Sequence, residues 1–221
     1  MTDLTLETRI GDVAATLPGA AGMFRRSGIS FCCGAGQTLA ETAAEKGLDA
    51  EGLLAGLQAL QRDAAAQAPE ETDALIDHIL TRYHATHRAE LEDLIPLAAK
   101  VETVHGEHED APQGLVDLLM AMHEEMEEHM AKEEQVLFPM MRSGGHPMIE
   151  HPIAMMRHEH DSHADQLKAL EHMTHGYTPP EGACRSWQAL YAGLEKFATD
   201  LVRHMHLENE VLFPRFEHVD A

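Results

Sequence analysis

Two short runs place metal-binding side-chain types on one helical face. His204 and Glu208 lie four residues apart, as do His129 and Glu133, a spacing that stacks two side chains on the same side of an α-helix. Phe197, Leu201, Val211 and Leu212 fall on or beside the face of the later pair, so the imidazole and the carboxylate are directed inward. A buried titratable group is costly unless something pairs with it, and a metal ion is the usual compensation. A single His-x-x-x-Glu is most often a solvated pair. Here it recurs with its flanking residues, as His129…Glu133…Phe138-Pro139 and again as His204…Glu208…Phe213-Pro214.

A second signal repeats at nearly the same interval. Arg82-Tyr83-His84-Ala85-Thr86-His87 resembles Glu159-His160-Asp161-Ser162-His163, so the step from His84 to His160 is only one position longer than that from His129 to His204. Each half of the chain beyond residue 72 therefore reads as a helix with His-x-x-His followed by a helix with His-x-x-x-Glu. Two such halves facing each other supply four imidazoles and two carboxylates, enough for two metal ions. Nitrogen and oxygen donors without thiolate suit iron or manganese better than a structural zinc, although ligand type alone leaves a zinc pair open.

Long amphipathic segments must position these groups. Helices are expected over about 73–104, 113–142, 149–175 and 182–217, separated by the breaks His105–Pro112, Ser143–Pro147 and Gly176–Pro180. Pro96 should kink the first of them. The pattern predicts an all-α chain built on an antiparallel four-helix bundle spanning residues 72–221. Residues 1–68 read as a small domain of short helices, with Thr38 or Gln37 opening a helix that Gly47 ends. Pro69-Glu70-Glu71 marks the linker between the two.

Composition narrows the function classes. The chain has 16 Lys and Arg against 38 Asp and Glu, a formal charge of −22, which argues against nucleic acid and anionic membranes as partners. Seventeen His is an early hint of metal. No apolar run approaches the roughly 18 residues of a membrane span. Three Cys, two of them adjacent, make no disulfide framework, so a reducing cytoplasm is the expected compartment.

The bundle resembles hemerythrin-like di-iron proteins. The whole chain, with Phe31-Cys32-Cys33-Gly34 near its start and Lys132–Pro139 among its specific pieces, is similar to the repair-of-iron-centres (RIC) family. That resemblance implies a non-haem di-iron centre, bridged by carboxylates and by an oxo or hydroxo group, that restores iron–sulfur clusters damaged by nitric oxide or oxidants. Carried over by position, it implies His84, His129, Glu133, His160, His204 and Glu208 as ligands, with the two Glu as bridges. Damaged iron–sulfur proteins would be the partners, nitric oxide or oxygen the small ligands, and the chain a monomer or homodimer. Two other functions fit the same centre: reduction of nitric oxide to nitrous oxide, and sensing or binding of oxygen, nitric oxide or iron. One departure weighs against oxygen carriage. Oxygen-carrying hemerythrins place another His one turn after the third-helix His and end with a carboxylate five residues after the last His, whereas here Ala164 follows His160 by a turn and the last spacing is four.

Other residues carry weaker expectations. Glu125 and Glu159 are candidates to hold a ligand imidazole or to line a polar route to the metals. His87 and His163 are expected beside the ligands or at the surface. His105 is a candidate alternative or transient ligand at the bundle end, and His123, His151, His158, His172, His175, His206 and His218 read as solvated. Cys32 and Cys33 are candidates for redox work or iron handling, with buried small hydrophobes the plain alternative. Cys184 reads as structural. The methionines at 120, 122, 126, 130, 155 and 156 read as core filling.

Overall fold

The computed structural model describes residues 4–29, 36–66 and 68–217, so Cys32, Cys33 and His218 lie outside the described residues. The described residues are all-α, with one isolated antiparallel bridge, Arg9 to Thr38, and no named strand. Four short helices come first: α1 (Ile10–Thr16), α2 (Ala20–Arg26), α3 (Leu39–Lys46) and α4 (Ala50–Ala66). Thr38 caps α3 reciprocally: its hydroxyl accepts from the Glu41 amide at 3.1 Å, and Glu41 Oε2 accepts from the Thr38 amide at 2.9 Å. Gly47, at φ 65°, ends the helix in the left-handed conformation that a residue without Cβ takes at little cost.

Four long helices come next: α5 (72–105), α6 (115–142), α7 (Glu150–Met173) and α8 (185–215). Helix α5 continues through Pro96, with Leu94 and Ala98 buried on either side of it. Gly144 and Gly145, both at positive φ, make the turn that ends α6.

Three of the four long helices widen for one turn beside the repeated His and Glu pattern: α5 at Ile79–His84, α6 at Glu133–Leu137 and α8 at Leu207–Leu212. Each is a π-turn, which inserts about one extra residue and rotates the next turns of the helix. Proline accounts for two of them. Pro139 and Pro214 have no N–H to offer the carbonyls four residues earlier, so the ladder loosens ahead of each. In α5, which has no such proline, the Thr81 hydroxyl bonds the Asp77 carbonyl at 2.7 Å just ahead of the widened turn.

The bundle core is in two apolar layers. Leu75, Ile79, Phe138, Ile153, Leu212 and Phe213 belong to one; Leu91, Leu119, Met126, Leu167, Trp187 and Phe197 belong to the other. The polar residues singled out by spacing fall between them along every helix. Helix α1 packs on α7 and α8, where Lys168 Nζ meets Asp12 Oδ1 at 3.0 Å. The short helices have their own core, including Ile10, Phe24, Leu39 and Leu57.

Candidate metal centre

Six side chains converge between the two apolar layers. His84, Glu133, His204 and Glu208 form one four-donor group, and His129, Glu133, His160 and Glu208 form a second. In each group the donor atoms lie within 4.8 Å of one another, and every residue is buried. Both carboxylates belong to both groups, so each stands where it can face two cations. His84 and His129 each place Nε2 3.4 Å from Glu133 Oε2. His204 Nε2 lies 3.0 Å from Glu208 Oε1, and His160 Nε2 3.2 Å from Glu208 Oε2.

The donor set fits a pair of cations. Neither Glu133 oxygen has a hydrogen-bond partner, nor do Glu208 Oε2 and His84 Nε2, although all are fully buried. In a merely structural site each such atom would carry the full desolvation penalty. Burial and the neighbouring Glu208 carboxylate push Glu133 well above the ordinary carboxyl range. Burial would raise Glu208 too, but His204 and His160 overcome it and hold that group well below its ordinary value. Burial lowers His204 to about 3, which keeps its nitrogen lone pair free for a metal at neutral pH.

The imidazoles are oriented from behind. His84 Nδ1–H donates to Glu134 Oε1 at 2.8 Å, and Arg88 holds the same oxygen at 2.8 Å. His129 Nδ1–H donates to Glu159 Oε2 at 2.9 Å, with Lys132 on the other oxygen at 2.6 Å. That pairing with His129, reinforced by the contact with Lys132, brings the Glu159 carboxyl to about 2 in spite of partial burial. His160 Nδ1–H donates to Asn209 Oδ1 at 3.0 Å. Phe138 lies beside His84, Phe213 stacks on His160, and Tyr83 stacks on His204.

Glu159 thus stands on the His129 imidazole. Glu125 does not: it is exposed, and its nearest polar contact is Ser162 at 3.4 Å. One turn before His129 on α6, it lies over the outer edge of the α6–α7 contact. His105 closes α5, 21 residues after His84, about 30 Å along the helix axis. Its Nε2 meets Cys184 Sγ at 3.2 Å, so it is not brought to the centre. His87 and His163 are not at the surface but buried beside the converging imidazoles, with ring centroids 5.4 Å from His204 and 5.1 Å from His129 respectively. Position i+3 is rotated only about 60° from position i, and a bundle helix buries a stripe wider than that. His206 is buried as well, and Met120 and Met155 are exposed rather than core. Glu134 and Asn209 escape a search by ligand spacing, yet they occupy equivalent places in the repeat, each directly after a converging Glu.

A cleft of about 500 Å³ between α1 and the bundle comes up to His160, lined also by Asp12, Arg157, Met205 and Asn209 among others. No described helix is long and apolar enough to cross a membrane.

An antiparallel helical bundle with paired His and Glu buried at mid-length is the hemerythrin class of cation-binding domain, and the hemerythrin HHE cation binding domain matches residues 75–216. Residues 6–61 match ScdA_N, a domain of unknown function. The chain belongs to the repair-of-iron-centres family: it is 44% identical over 209 residues to the iron–sulfur cluster repair protein YtfE of Yersinia pseudotuberculosis, covering 93% of this chain and 95% of that one. The proteins of the same name from Pectobacterium carotovorum and Escherichia coli O157:H7 are 42% and 43% identical over 213 residues, with 93% of this chain covered and 95% and 94% of theirs.

Proposed function

We propose that this chain restores iron–sulfur clusters damaged by nitrosative or oxidative stress, and that it does so by supplying iron from a centre of two non-haem irons. The observation that carries the reading is the sharing of two buried carboxylates between two pairs of imidazoles. His84 and His204 would hold one iron, His129 and His160 the other, with Glu133 and Glu208 bridging. When bound, the irons supply exchangeable ferrous or ferric ions and coordination positions open to a small ligand such as nitric oxide.

The chain's own groups set how that iron is kept. Glu134, Glu159 and Asn209 fix three imidazoles in the tautomer that turns Nε2 toward the metals. The apolar layers on either side exclude water from the centre, and the cleft past His160 leaves an approach from the side of the short helices. Glu133 and Glu208, each shared by both donor groups, would hold the two irons between them.

The test is to incubate the iron-loaded chain with an iron-depleted cluster enzyme, beside an equal amount of free ferrous iron. Activity should return faster and further with the loaded chain. Recovery no better than that given by free iron rejects the supply of iron.

A further inference from the structure

The two halves of the centre are duplicated in sequence but not in their supporting hydrogen bonds. In the half around His129 and His160, every imidazole has a protein acceptor on Nδ1: Glu159 for His129, Asn209 for His160, and Gln166 Oε1, at 3.3 Å, for the adjacent His163. In the half around His84 and His204 only His84 has one, Glu134. His204 Nδ1 is buried without a partner. So are both nitrogens of the adjacent His87, whose nearest carboxylate, Glu90, is 3.7 Å away.

For His204 the cause lies in one position of the repeat. His129 is equivalent to His204, and Tyr83, directly before His84, is equivalent to Glu159, directly before His160. Glu159 takes the Nδ1–H of His129. Its counterpart Tyr83 lies flat on His204, with ring centroids 5.4 Å apart and planes 3° from parallel, and presents a ring face instead of an acceptor. An imidazole whose distal N–H is held by a carboxylate is fixed in orientation and made more basic, and loss of such a partner typically weakens metal binding about 10- to 100-fold.

We infer that the two metal positions are inequivalent and that the His84/His204 position surrenders its iron first. This rests on the two-iron reading of the centre. The order opposes that of simple access, because the cleft touches His160, on the other pair.

Iron release from the fully loaded chain into excess ferrous chelator tests it. Two phases of one iron each are expected, at rates about 10- to 100-fold apart. Glu159→Ala should quicken the slow phase and leave the fast one, while Glu134→Ala should quicken the fast phase alone. ⁵⁷Fe returned to the vacated position should give a Mössbauer doublet that Glu134→Ala alters and Glu159→Ala does not. A single phase, or a fast phase and doublet that respond to Glu159→Ala, overturns the assignment and hands the order to access through the cleft. A chain that loads fewer than two irons refutes the two-iron reading and this inference together, whereas equal rates from a fully loaded chain refute this inference alone.

Discussion

Replacing Glu133 with Gln should reverse sign with metal. Glu133 is fully buried and neither of its oxygens has a hydrogen-bond partner. In the metal-free chain it is therefore a liability, worth about 1–3 kcal/mol for an unsatisfied buried polar group. Gln keeps the shape, removes the charge next to Glu208, and gives that carboxylate an amide donor. For a chain of this length about 1 kcal/mol moves Tm by roughly 2–4 °C, so metal-free Glu133→Gln should melt roughly 2–12 °C above the parent. With metal the order inverts. Two ions, each at about 100 times its Kd, would stabilise the parent by roughly 5 kcal/mol, and a neutral amide in place of a bridging carboxylate forfeits most of that. The pH dependence comes from the raised Glu133 carboxyl. A group whose folded value lies above its ordinary 4.5 favours the fold fully below that pH, and the benefit is lost as pH rises through the folded value. The advantage of the metal-free variant should therefore grow as pH climbs from 4.5 toward neutrality. Calorimetry with chelator and with added ferrous iron, at acid and neutral pH, measures all four quantities. The same melting order with and without metal would refute the bridging role of Glu133.

Three further outcomes are expected. His129→Ala or Glu208→Leu should reduce iron to below two per chain, read by metal analysis; retention of two irons with an unchanged absorption spectrum would reject those ligands. Asp200 is buried and accepts from Arg82 at 2.8 Å and Lys196 at 2.9 Å. Burial opposes its ionisation, but those two cations hold its carboxyl below the ordinary 3.8, so Asp200→Asn should lose about 1–3 kcal/mol near neutrality. That difference should fade as pH falls below 3.8, which urea melts at several pH values would track. Phe213→Ala removes a fully buried ring stacked on His160 and should cost about 3–5 kcal/mol in the same melts.

Much of the centre was legible because the duplication isolates it. One His-x-x-x-Glu says little, but a second copy with the same Phe-Pro ending, each preceded by His-x-x-His, picks out the six residues that converge here. The long helices and the Thr38 and Gly47 caps were readable from amphipathic spacing and cap chemistry. Spacing does not carry the local widening of a helix. Two of the π-turns depend on prolines that leave carbonyls four residues back without a donor, and all three change which side chains share a face. The groups that support the ligands were half hidden for another reason. Glu159 and Glu125 both lie near converging histidines in sequence, and only packing of α6 on α7 decides that the first meets His129 while the second meets solvent. Burial of His87, His163 and His206 likewise depends on the width of the buried stripe and not on its centre line.

The pseudo-two-fold arrangement has a consequence for symmetry. Two identical helix pairs assembled as a homodimer could make the same six-residue centre, but an isologous interface would compel the two metals to be alike. Every change made near one would be made near the other. Joining the pairs in one chain removes that constraint, so position 83 can hold Tyr while position 159 holds Glu. The loop between α6 and α7 is thus more than a connection. It allows the surroundings of the two donor groups to differ, as the proposed unequal release of two irons would require.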